Sequence, residues 1–188
     1  MTGAELSSPY KGLAAFEDTD LDALLFFGRG RDTDMIAANL IASRFTVLYG
    51  PLGVGKSSVL RAGVVRRLRS MASDASVVVT DSWAGDPATL LVRAAATGLG
   101  VEPPKDDVPL SDALAEMASR RGGDLYLVCD QFEELFVYPG AEAFAAALAE
   151  VVRAPHLRVN VLLALREDAA LTIADVLTSA ASRLTTTP

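Results

Sequence analysis

The amino-acid sequence predicts an α/β domain in three layers, a mainly parallel β-sheet with helices on both faces. Three observations predict it. Short apolar runs recur along the chain, segments of helical periodicity separate them, and one run ends in a glycine-rich loop leading straight into a helix. At 188 residues the chain suits one domain with a proper core. A hydrophobic content of 51% and a mean hydropathy of +0.30 fit a packed protein rather than a disordered one.

The first strand is "FTVLY" (45–49), a continuous apolar run ended by Gly50, as expected of a strand buried on both faces. From Ser57 to about Met71 the spacing of Val59, Leu60, Val64 and Leu68 predicts a helix. "SVVVT" (76–80) is the second strand. "GDP" (85–87) then starts a helix running to about Gly98, with Asp86 as N-cap and Pro87 at the first helical position. "VEPPKDDVP" reads as a loop, and Leu110, Ala113, Leu114 and Met117 recur at helical spacing after it. "DLYLVCD" (124–130) is the third strand, with "PG" (139–140) closing the segment that follows. A helix from about Ala141 carries Phe144, Leu148, Val151 and Val152 on one face. "LRVNVLLAL" (157–165) is the fourth strand, a last helical stretch begins after Arg166, and "SRLTTTP" is assigned to no element. Strands alternating with helices imply parallel pairing.

Composition excludes several function classes. No apolar run approaches the roughly 18 residues of a membrane span, and "MTGAELSSPYKGL" lacks the basic and apolar regions of a secretory signal. Cys129 is the single cysteine, so there is no internal disulfide, and nothing near it has metal-ligand spacing. The expected compartment is the cytoplasm. The net charge is −7, with ten acids and ten bases in residues 1–100 but fourteen acids and seven bases in 101–188. That balance speaks against a nucleic-acid groove. "RAGVVRRLR" (61–69) is the local basic exception and reads as a solvated helix face. His156 reads as a surface residue, Trp83 as packing and Cys129 as a small buried strand residue. One histidine assembles no Ser-His-Asp or Cys-His nucleophile.

"LYGPLGVGKSSV" (48–59) carries the chemistry. Gly50, Gly55, Lys56 and Ser57 fit G-x-x-x-x-G-K-S/T, with Gly53 also in the loop. Glycines that adopt positive φ let the backbone N–H groups turn inward on a phosphate, and the helix N-terminus presents more N–H groups to the same anion. In such a loop Lys56 bridges the β- and γ-phosphates, the Ser57 hydroxyl ligates Mg²⁺, and Ser58 reaches the α-phosphate. Asp130 ends the third strand, at the sheet edge where ligands of parallel sheets sit, and is placed to hold Mg²⁺ through water. The next position, where many related ATPases carry a glutamate, is Gln131, so Glu133 or Glu134 is left to orient an attacking water. Arg166 ends the fourth strand at the same edge. It is either a reporter of the γ-phosphate or a partner of Glu167 or Asp168. Upstream, "SPYKGLAAFEDTDLDALLFFGRGRD" (8–32) groups Tyr10, Phe16, Phe26 and Phe27 around Gly28 and Arg29, as a cap on the sheet or a wall for a base.

Four stretches, "PYKGLAAF…FFGR", "GPLGVGKSS", "CDQFEELF" and "LLALRED", resemble in order and spacing the novel STAND NTPases, bacterial signalling ATPases related to the NACHT and AAA+ groups. The resemblance covers residues 8–171. It implies an ASCE-type P-loop NTPase sheet, ATP/ADP as ligand with Mg²⁺, and a Phe27-Gly28-Arg29 element at the adenine. Asp130, Glu133 and Glu134 look like the acidic strand end of NACHT proteins, and Arg166 falls at the family's sensor position. The chain departs from the family pattern at Gly30 and Asp32, where glutamates are usual, and in the less bulky sequence after Asp168. The expected organisation is an N-terminal segment, 1–35, with the adenine-side elements, and a P-loop core, 36–188, truncated before the winged-helix part. The expected function is a signalling domain that binds Mg-ATP and hydrolyses it slowly as a switch, with nucleotide-dependent self-association and a protein partner of unknown kind. The alternative is a nucleotide-binding interaction module, or truncated remnant, that does no chemistry.

Overall fold

Four parallel strands form the frame, in the order β1-β4-β3-β2. They are β1 (Phe45–Gly50), β2 (Ser76–Thr80), β3 (Leu125–Cys129) and β4 (Val159–Arg166). The computed structural model describes residues 28–71, 74–105, 108–171, 173–176 and 178. Every residue of β3 is buried, as is β4 apart from Asn160 and Arg166, which is why these strands read as unbroken apolar runs. β1, expected to be buried on both faces, is instead at the sheet edge among the described residues and leaves Val47 and Tyr49 exposed.

Helices cover both faces. On one lie α1 (Gly30–Ala42) and α2, a continuous helix made of Lys56–Ser58, Val59–Val65 and Arg66–Met71. Ile36, Leu40, Leu60, Val64 and Leu68 pack there on Tyr126, Val128, Leu162 and Ala164. On the other lie α3 (Pro87–Leu99), α4 (Leu110–Arg121) and α5 (Ala141–Arg153), whose Leu91, Leu114, Met117, Phe144 and Leu148 pack on Leu127, Val161 and Leu163. The three-layer α/β architecture expected from the sequence is the one observed.

Two helices differ from expectation. No element was expected between residues 30 and 42, yet α1 occupies it, and the division drawn after residue 35 falls inside that helix. Arg29 at its N-cap makes no side-chain cap bond, so the start carries no sequence signal. The second difference is in α2, where Val59–Val65 is π-helical rather than α-helical. Such segments are rare and concentrate at functional sites. This one lies where α1 crosses. Gly63 faces Thr33, and a Cβ added there would overlap the Thr33 side chain. Gly63→Val is therefore expected to destabilise the fold by about 1–3 kcal/mol, the usual range for overpacking, measured by urea unfolding.

Helix α3 has the ends its sequence specifies. The Thr89 backbone N–H donates to Asp86 Oδ2 at 2.8 Å, with Pro87 at the first position. Gly100 closes the helix in the left-handed region, and the Val101 N–H donates back to the Ala96 carbonyl at 3.0 Å. Hydrogen bonds from Thr89, first from its side chain and then from its backbone, hold the Asp86 carboxyl below its ordinary pKa. A depressed folded-state pKa means this stabilisation is full above the ordinary carboxylate range and is lost as pH falls through the depressed value. Asp86→Ala is expected to cost about 1 kcal/mol at neutral pH, with the difference from wild type shrinking as the pH falls below that range, read from denaturation midpoints.

Candidate functional site

The sheet brings three chain segments to one edge. Residues leaving the C-terminal ends of β1, β4 and β3 are Gly50 with its loop, Arg166 and Asp130, in that spatial order. Gly50 is in register with Arg166. Neighbouring strands lie about 4.8 Å apart, so the glycine loop and Asp130 stand roughly 10 Å apart across β4.

Gly53 and Gly55 sit at φ 77° and 87°, the left-handed region that a side chain would strain. Gly55 is also the N-cap of α2, and no side chain caps that end. The loop therefore turns its N–H groups and a positive helix end toward one point. Lys56 opens the helix, half-buried, with Nζ donating to the carbonyls of Gly50 at 2.8 Å and Pro51 at 3.0 Å. Ser57 and Ser58 follow on the first turn, both half-buried. Arg29 reaches the loop from upstream, its Nη1 donating to the Val54 carbonyl at 3.1 Å while Nε donates to Asp32 at 2.6 Å. Gly28 precedes it at φ 81°. Phe27, like Tyr10, Phe16 and Phe26, lies outside the described residues.

Asp130 is 1% exposed. Its N–H donates to Thr80 at 2.8 Å, and its Oδ1 accepts from the Gln131 N–H at 3.0 Å. Its Oδ2 is buried with no hydrogen bond among the described residues. A buried carboxylate oxygen without a donor is costly and calls for a cation. Mg²⁺ fits that need, because such ions take one or two carboxylates and complete their shell with phosphates and water. Ser57 and Asp130 are the groups that would hold it. Among the described residues, the nearest protein cation is Arg61 on α2, whose Nε stands 4.0 Å from Oδ2 and whose guanidinium also pairs with Asp81, just past the end of β2.

The chain turns abruptly after Asp130. Gln131 has φ 51°, the one positive φ at a non-glycine among the described residues, and the turn leads into a 3₁₀ helix, Phe132–Val137. Trp83 braces this corner. Its Nε1–H donates to the Asp130 carbonyl at 3.0 Å, and it meets the buried Phe132 ring edge-on at 5.4 Å. The turn separates the two glutamates that the sequence left equivalent. Glu133 points back at β4: its side chain is 15% exposed, Oε2 accepts from the Arg166 N–H at 3.2 Å, and Oε1 lies 3.8 Å from Arg166 Nε. Glu134 is exposed. Arg166 itself is paired with Asp168 at 2.9 Å, one of the two partners weighed for it, and with Asp168, Glu167, Pro51 and Leu52 it lines an open cavity of about 470 Å³.

Sequence reasoning passed over Arg61 and, in reading Trp83 as packing, its bond to the Asp130 carbonyl. The stretch 61–69 was expected to be a solvated helix face, yet the Arg61 side chain is only 19% exposed and turned toward two aspartates. The available signal was spacing: Arg61 lies one helical turn beyond Ser57 on the same face. Two bland readings hold. His156 is exposed, and burial, reinforced by Asp130, pushes the Cys129 thiol up to about 12, which keeps it protonated.

A family model described as novel STAND NTPase 1 matches residues 9–186. No curated protein matches the chain. Among solved structures it is similar to the Aeropyrum pernix ORC2 protein in its ADPNP–ADP complexes, with a TM-score of 0.64 at 16% identity over 84% of this chain and 46% of that one. It is also similar to a Walker-type ATPase of Pyrococcus abyssi, at TM-score 0.61, 17% identity, and 89% and 51% coverage. The Aeropyrum pernix ORC1 protein in complex with DNA gives 0.57 at 21%, covering 81% and 43%. These likenesses show a P-loop ATPase fold, and the chain spans about half the length of the structures it matches.

Proposed function

Because the chain belongs to the novel STAND NTPase 1 family, we propose that this nucleotide-binding NTPase domain takes Mg-ATP at the glycine loop and hydrolyses it slowly as a switch. One observation carries the reading: the loop, Arg166 and the buried Asp130–Glu133 corner stand in a row along one sheet edge. Lys56 exchanges its two loop carbonyls for the β- and γ-phosphates, and the loop N–H groups hold the remaining oxygens. Bound Mg²⁺ would supply charge neutralisation of the phosphates, with Ser57 and Asp130 holding it. Glu133 orients a water for in-line attack, and Arg166 leaves Asp168 to contact the γ-phosphate, so that cleavage becomes a movement of the β4 end. We assign Phe27, Gly28 and Arg29 to recognition of the base. ATP favours an assembled state and ADP a resting one, in the cytoplasm. The acidic balance of the chain argues against the DNA partner that the ORC1 structure contains.

A second reading has its own observation. Glu133 is engaged by the Arg166 backbone, and Gln131 follows Asp130 directly, which suits a module that binds nucleotide without turning it over. Calorimetric titration of nucleotide-stripped protein with Mg-ATP, followed by a phosphate-release assay, tests both. Saturable binding with slow release supports the switch, binding without release supports the module, and no binding to folded protein overturns both.

A further inference from the structure

A groove lies away from the phosphate loop. It measures about 520 Å³ and is lined by Arg61 and Arg69 of α2, Val77–Val79 of β2, Asp81, and Arg93 with Thr97 of α3. Since α2 and α3 cover opposite faces of the sheet, a groove touching both runs along the sheet's edge. β2 is that edge: among the described residues it pairs with β3 alone.

The pairing register shows what the edge offers. Ser76 donates its N–H to Asp124, and Thr80 accepts from Asp130, both across the β3 side. Backbone groups alternate in direction along a strand, so Val77 and Val79 turn their N–H and C=O groups outward into the groove. Among the described residues no backbone group pairs with them. An open strand edge is a template for an added strand.

Charge selects what is added. In a chain of net charge −7, three of the four charged residues around this groove are arginines, and the one acid, Asp81, is already paired with Arg61. Arg93 is exposed and makes no ion pair among the described residues. Two copies of this edge would oppose arginine to arginine, which disfavours self-pairing. An acidic strand would meet arginines from both faces, because its side chains alternate between the α2 and α3 sides.

We propose that the edge of β2, unpaired among the described residues, is a docking site for an extended acidic segment of a partner protein, added to the sheet as a further strand. The backbone groups of Val77 and Val79 provide the pairing, and Arg69 and Arg93 select for acid. None of this involves Lys56 or Glu133, so the proposal stands or falls separately from nucleotide chemistry.

The test is fluorescence anisotropy of the full chain with a labelled short peptide alternating glutamate and valine, beside its lysine counterpart. Expected is saturable binding of the glutamate peptide alone, slowed hydrogen exchange of the Val77 and Val79 amides, and at least about tenfold weaker binding in Val79→Pro and in Arg93→Glu. Proline removes the outward donor at an edge position that tolerates it. Arg93→Glu lies on an exposed helix face and decides the matter if Val79→Pro fails to fold. Four results would overturn the proposal: no binding by wild type, equal binding of the lysine peptide, affinity unchanged in Arg93→Glu, or equal competition by duplex DNA. If the arginines only guard the edge, the peptide does not bind and Arg93→Glu promotes self-association instead.

Discussion

Replacing Lys56 with alanine is expected to weaken Mg-ATP binding about 100-fold or more, while the protein stays folded. A hydrogen bond to a charged group contributes about 1.5–3 kcal/mol, and Lys56 is positioned to make more than one to the phosphates besides supplying the positive charge. Its present partners, the Gly50 and Pro51 carbonyls, are neutral, and one of those contacts is exposed to solvent that can replace it. The cost to stability is therefore about 1 kcal/mol, within reach of ordinary net hydrogen-bond values. Calorimetric titration beside thermal melting checks both halves. Wild-type affinity in the alanine variant would remove the phosphate-loop reading altogether.

The second large effect concerns turnover. Glu133→Gln is expected to lower the rate of γ-phosphate release by about 10²–10⁴-fold, the range for a positioned general base, with nucleotide affinity within about twofold of wild type. Glutamine keeps an oxygen for the Arg166 N–H, so the corner itself should hold. Glu134→Gln, on an exposed side chain, should leave the rate within about twofold. Single-turnover hydrolysis separates the pair. If Glu134→Gln proves the slow variant, the assignment reverses, and if neither changes the rate, the water is oriented from elsewhere.

Strands β2, β3 and β4 were legible because burial on both faces leaves a parallel strand little choice but an apolar run, and "SVVVT" and "LYLVC" are such runs. β1, by contrast, keeps an apolar sequence with Val47 and Tyr49 exposed. The α3 boundaries were legible for a different reason: Asp86, Pro87 and Gly100 are local devices that act through their own backbone. Helix α1 has no such device at its start, and its buried stripe is only Thr33, Ile36, Ala37 and Leu40. The phosphate loop could be read from spacing alone, since its chemistry lies in consecutive residues. The acidic corner could not. Whether Glu133 or Glu134 faces the edge depends on a left-handed φ at Gln131, a residue type that gives no warning of it. Arg61 was missed because it was read with the basic stretch 61–69 as a solvated face, although its spacing from Ser57 places it on the phosphate-loop side.

The bond from Trp83 to the Asp130 carbonyl has a use beyond bracing the corner. The chain has one tryptophan, and that indole is attached to the residue proposed to meet the metal ion. Its emission wavelength depends on its hydrogen bond and on local polarity, so the protein carries an optical probe where the switch should move. Rapid mixing with Mg-ATP should produce a spectral change without any label, and Asp130→Asn should abolish its magnesium dependence. Binding, cleavage and release would then appear as successive phases of one fluorescence trace.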